Sequence, residues 1–273
     1  MAGRKVASAE AALEQAQLLV YDAWEATTTK RRLALAEKAL TISPLCADAY
    51  VLLAEHAEQG SDQELDLWRR GVEAAEAALG KAGFEEYAGH FWGFLETRPY
   101  MRARFGLAEA LWRRGARDEA IGHLHEMLRL NPGDNQGVRY VLAAHLVEAG
   151  KDDDLTALLA KYPDDSMADW TWTEALAAFR RTGASEESRE RLATAAASNE
   201  HVLSYLLDER RLPKQMPSFI SPGDQDEAIA YVSAYRKGWM LTPGAIDWLR
   251  AQAPGLKAPK RPSRRPKQPA TRS

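Results

Sequence analysis

Apolar residues recur at i, i+3, i+4 and i+7 along nearly the whole chain, and β-branched alternation is almost absent. Proline is confined to the junctions between these periodic stretches. The pattern predicts an all-α protein. Glycine or proline interrupts it about every 15 to 20 residues, which sets helices of roughly three or four turns rather than long rods. The clearest unit is "MRARFGLAEALWRRGARDEAIGHLHEMLRLNPGD", residues 101–134. Leu107, Ala108 and Leu111 share one face of a first helix, Gly115 makes the turn, and Ala120, Leu124 and Met127 share one face of a second helix that Pro132 stops. Small Ala at 108 and 120 lets the two helices approach closely.

The same grammar recurs along the chain. Residues 15–44 and 47–80 read as two earlier hairpins, with Ala36, Ala39, Tyr50, Leu53, Ala54 and Ala57 at the packing positions. "QGVRYVLAAHLVEAGKDDDLTALLAKYPDD" and "DWTWTEALAAFRRTGASEESRERLATAAA" read as two later ones, turning at Gly150 and Gly183. Five hairpins result. The stretch from Met101 resembles the tetratricopeptide repeat, a 34-residue helix-turn-helix with small and large residues at these relative places. The resemblance implies an α-solenoid of about five such hairpins over residues 15–199. Residues 1–14 are left as an N-terminal segment.

Beyond Asn199 the repeat phase is lost. "HVLSYLLDERRLPKQMPSFISPGD" reads as a short helix and an irregular segment. Asp224 and Glu227 then form a capping box for "QDEAIAYVSAYRKGW", and Thr242 with Pro243 starts a last short helix. Residues 200–251 therefore form a C-terminal helical cap, which a solenoid needs over its last apolar face. Residues 252–273 read as a disordered tail, rich in proline and without apolar periodicity. The run "FLETRPYMRARFGLAEALWRRG", with "LRLNPGDNQGVRY", "YLLDERRLPKQMP", "GDQDEAIAY" and "TPGAIDWL", resembles a group of bacterial tetratricopeptide proteins, some of which carry a cysteine-rich SEC-C motif. Those cysteines are absent here, so no metal role follows from the resemblance.

Charge changes the picture at one end. The formal net charge is −3, yet from Ala251 onward there are seven Lys or Arg and no acid, so removing those seven leaves residues 1–250 at −10. The apolar runs are too short to span a bilayer, and the first residues lack the apolar stretch of a secretory signal, which gives a cytoplasmic expectation. The single cysteine, Cys46, reads as a small buried hydrophobe. None of the six histidines sits in a ligand pair, "KDDD" at 151–154 caps a helix, and no nucleotide or hydrolase motif occurs. The sequence nominates no metal, cofactor or catalytic residue, and predicts a non-enzyme.

A binding role is the remaining expectation. In stacked tetratricopeptide hairpins the first helices line a concave groove. Arg98, Arg102, Phe105, Trp112 and Arg113 take such places in the third hairpin, Arg139 and Tyr140 in the fourth, and Trp170 and Arg180 in the fifth. Aromatic faces with arginine forks suit a peptide or helix of a partner protein. Phe105 and Glu109 stand where chaperone-clamping relatives use Lys and Asn, which argues against a chaperone clamp. The alternative is a nucleic-acid-associated regulator acting weakly through the basic tail. Within "HFWGFLETRPYMRAR", Phe91, Trp92 and Phe94 read as a plug between the second and third hairpins, and Arg98, Arg102 and Phe105 as site.

Overall fold

The structure is a computed structural model that describes residues 2–256, with side chains from Ala9 onward. Most of the predicted basic tail, residues 257–273, lies outside the described residues. All regular structure among the described residues is helical: α1 (Ala2–Glu25), α2 (Thr29–Ile42), α3 (Ala47–Glu55), α4 (Asp62–Tyr87), α5 (Arg98–Arg113), α6 (Arg117–Leu130), α7 (Val138–Ala149), α8 (Asp152–Lys161), α9 (Ala168–Thr182), α10 (Glu186–Ser198), α11 (Val202–Leu206), α12 (Gln225–Leu241) and α13 (Ala245–Leu256). Helices pack on their chain neighbours as hairpins, the arrangement of an α-solenoid. The chain divides into two compact units, Met1–Gly150 and Lys151–Ser273. The fourth predicted hairpin falls on that division, with α7 closing the first unit and α8 opening the second.

In the first unit α1–α2, α3–α4 and α5–α6 are hairpins, and the first helices α1, α3 and α5 lie side by side. The contacts are made by small residues: Ala16, Val20 and Ala23 of α1 and Ala36 and Ala39 of α2 are fully buried in one cluster with Cys46, Ala49 and Leu52. Ala108, Leu124 and Met127, chosen on periodicity, are likewise 0% exposed. Gly115 takes φ 82° in the α5–α6 turn, a region that disfavours a β-carbon. Helix α1 starts far ahead of the predicted residue 15. Ala9, Ala12, Leu13, Ala16, Val20 and Ala23 continue one apolar stripe through the segment set aside as 1–14.

One close approach has a measurable consequence. A β-carbon at Gly106, mid-α5, would lie 2.2 Å from the Trp68 ring of α4. Gly106→Ala should therefore destabilise, by about 1 to 3 kcal/mol as overpacking does, although the same change at a free helix position stabilises by up to about 1 kcal/mol. Chemical denaturation of the variant checks the sign.

The aromatic island is only partly a plug. Phe91 is fully buried against Phe84 and Tyr100, at ring distances of 5.1 and 5.8 Å, and its amide and that of Gly89 donate to the Leu130 carbonyl at 3.3 and 2.9 Å. Trp92 is half-buried, and Phe94 is 43% exposed, resting on Tyr87. The turn after α4 points only the first of the three rings inward.

In the second unit α9 and α10 form the hairpin, and α11, α12 and α13 pack around it. Trp172 of α9 meets Tyr231 and Trp239 of α12, each at 6.4 Å. The expected capping box is replaced by something larger. Asp224 occupies the N-cap position without a side-chain bond, while the buried Glu227 carboxylate accepts from the Gly223 amide (2.7 Å), the Ala168 amide (2.9 Å) and Asn199 Nδ2 (2.8 Å). It joins the starts of α9 and α12 to the end of α10. Thr242 does not start α13; its hydroxyl bonds back to the Gly238 carbonyl at 2.8 Å. Helix α13 then runs past the predicted end at residue 251 to Leu256, with Ala253 buried.

Candidate functional site

Arg98 donates to the Trp92 carbonyl at 3.1 Å and lies over that indole. Arg102 forks the Asp48 carboxylate at 2.8 and 2.6 Å, while its other face meets Trp24. Arg113 pairs with Glu64, which also accepts from the Gly60 amide as part of the cap of α4. Arg139 pairs with Asp134 at 2.9 Å and lies over Tyr140, and Asp134 in turn holds the first amides of α7. Trp112 stacks on His145 at 3.8 Å, and His145 meets Glu109 at 3.0 Å. Phe105 is half-buried, with no ring partner among the described residues.

In the second unit the assignment changes. Trp170 is 0% exposed and so belongs to the core, not to a contact surface. Arg180 is tied to Asp152 (2.9 Å), Thr242 (2.8 Å) and the Gly238 carbonyl (3.3 Å). Arg180 is taken up by the end of α12, while the Trp170 ring meets Tyr162 after α8 at 5.8 Å, so α9 is covered on more than one side. Four predicted arginines, 102, 113, 139 and 180, thus pair with carboxylates that the chain itself supplies.

An open site does exist in the first unit, lined by none of the predicted groove residues. Helix α3 has 9 residues and α1 has 24, about 14 and 36 Å at 1.5 Å per residue. The shorter helix leaves a gap at its N-terminal end, walled by the overhang of α1, by α4 just before its break at Gly80 (φ 59°, ψ 177°) and by the start of α5. The resulting groove holds about 460 Å³. Leu13, Leu45, Leu79, Leu95 and Pro99 form its apolar lining, and Glu10, Glu14 and Glu96 are its charged residues. Leu95 is 64% and Tyr21 45% exposed, apolar surface left facing solvent.

The groove wall is held rigid from beneath. Gln17 of α1 donates to Asp48 at 2.9 Å, the same carboxylate that Arg102 forks, so α1, α3 and α5 meet at one fully buried acid. Next to it Cys46 is buried, its sulfur 3.7 Å from Gln17 Oε1. Burial pushes the thiol up to about 11, a bond from Ala49 pulls the other way, and Asp48 adds to the rise. Two results are expected. Native protein at pH 8 reacts with a thiol reagent only on the timescale of unfolding, because the thiolate is the nucleophile. A folded pKa above the unfolded one also means that this contribution to stability is complete below about pH 9 and fades as pH rises towards 11. Timed labelling with a colorimetric disulfide reagent, with and without denaturant, checks the first.

Among the described residues no three His, Cys, Asp or Glu side chains cluster to hold a metal ion, and no helix is long and apolar enough to cross a membrane. Fold and site together define an all-α protein of helical hairpins with an open groove at one short helix. No family model matches the chain. It is similar to the Protein ST7 homologs of Caenorhabditis elegans, 26% identical over 83% of this chain and 48% of the relative, and of Drosophila melanogaster, 26% identical over 85% and 47%. The Suppressor of tumorigenicity 7 protein of Rattus norvegicus is 25% identical over 87% of this chain and 48% of its own. The chain spans about half the length of the curated relatives it matches.

Proposed function

We propose that the chain is a tetratricopeptide-like, non-catalytic interaction protein, acting in the cytoplasm, whose first unit takes a peptide or helix of a partner in the groove between α1, α4 and α5. One observation carries this reading: an apolar groove of about 460 Å³, left open by a short helix and lined by exposed Leu95 and Tyr21, on a framework cross-braced through buried Asp48. Concave apolar surface with a few placed polar groups is what binding sites are made of. The predicted arginine row contributes to this reading as scaffold, since its charges are met internally.

Ala78 is exposed inside the groove on helical α4, so Ala78→Trp fills the space without touching the buried braces. The expected result is an unchanged melting temperature and at least a tenfold loss of co-purified partner, about 1.4 kcal/mol or more. Equal recovery of the same proteins by both forms would contradict the groove assignment.

A further inference from the structure

We infer that the segment this groove accepts is basic and amphipathic, with Leu-, Met- or Phe-type side chains on the apolar floor and flanking Lys or Arg reaching Glu10, Glu14 and Glu96. The inference rests on the proposed function and names the partner's chemistry. Among the described residues three carboxylates line the groove and no cation does. All three are exposed and make no ion pair among the described residues. The two arginines nearest in the chain to this wall are committed elsewhere, Arg98 to the Trp92 carbonyl and Arg102 to Asp48.

The opposing contribution is small. The N-termini of α3 and α5 bring about half a positive charge each, and the Asp48–Arg102 pair beside them is neutral in sum. Three full negative charges therefore dominate, and an acidic segment meets like charge. Glu10 and Glu14 stand one turn apart on α1, a spacing that matches cations three or four residues apart on a helical ligand. An exposed pair changes affinity by at most about fivefold, so the three carboxylates select the ligand while the apolar floor supplies the bulk of the binding.

The test is selection of a random 12-residue peptide display library on the full chain and, in parallel, on the Glu14→Lys, Glu96→Lys double variant. Both positions are exposed, and thermal melts confirm that the variant folds. The expected winners on the natural chain carry two or more Lys or Arg around Leu, Met, Phe or Trp, bind the charge-reversed variant at least tenfold more weakly, and weaken as salt rises. Acidic or uncharged winners that Ala78→Trp displaces would overturn the basic assignment while the groove itself stands. No winners at all, or winners indifferent to both groove variants, would overturn the groove with it. Sedimentation of the same samples reads the remaining occupant: self-association abolished by the charge reversal would replace the partner segment with a second copy.

Discussion

Glu227→Ala lowers the melting temperature of the second unit by roughly 15 °C. The carboxylate is 1% exposed and accepts from the Ala168 amide, the Gly223 amide and Asn199 Nδ2. Truncation leaves these donors at a site that water does not reach, and each such orphan costs about 1 to 3 kcal/mol. Asn199 keeps its second bond, to the Asp224 carbonyl, so the sum is nearer 3 to 5 kcal/mol than the maximum. A unit of this size, between the two classes of small domain, loses about 4 °C per kcal/mol. Glu227→Gln retains an acceptor oxygen and should lose less than half as much. Differential scanning calorimetry of the two variants separates the outcomes, and equal melting of both with the natural chain would remove the hub role.

Arg102→Ala destabilises the first unit more than Asp48→Ala does, which reverses the order that exposure alone would give. The arginine side chain is 30% exposed, while Asp48 is fully buried. Removing the acid frees a guanidinium that can turn to water. Removing the arginine strands a buried carboxylate with Gln17 as its remaining side-chain partner, and orphaning a buried charge costs about 3 to 5 kcal/mol. Expected losses are about 3 kcal/mol for Arg102→Ala and roughly half that for Asp48→Ala. Urea unfolding of both variants, followed by tryptophan fluorescence, measures the order. It also shows why Arg102 is a poor reporter of binding: its substitution damages the wall on which the groove is built.

The fold was legible because helix packing is written in short-range periodicity. Ala108, Leu111, Ala120 and Leu124 fall on packing faces that spacing alone identifies, and all four are buried. The arginine partners were not legible in the same way. Arg102 and Asp48 are 54 residues apart, and Arg113 and Glu64 are 49 apart, so no pattern within one helix pairs them. The one local signal was a carboxylate inside the otherwise apolar "ADAYVLLA", where a charge needs a partner to be buried. Arg180 and Trp170 differ from expectation for a third reason: Arg180 bonds to the end of α12, beyond the repeats, and Trp170 meets Tyr162 after α8, and periodicity in α9 cannot reveal what lies on it.

The groove was hidden by a helix boundary. With α1 started at residue 15, Glu10, Leu13 and Glu14 fall outside the array and α1 has no overhang. With α1 running Ala2–Glu25, the same residues wall a groove against Leu79 and Leu95. Ala-rich "ASAEAALEQAQ" carried the continuing stripe, but without a start signal such as a capping serine three residues before a glutamate it was not extended.

Site-resolved photo-cross-linking distinguishes the acid-lined groove from the arginine row most directly. A benzophenone side chain is placed at Leu95 in the groove, at Phe105 on the arginine face of α5, and at Lys38 on α2, away from both. Leu95 should capture a partner polypeptide through a segment rich in Lys or Arg, with Phe105 and Lys38 silent. Capture from Phe105 with Leu95 silent would return the binding surface to the arginine row and contradict the groove.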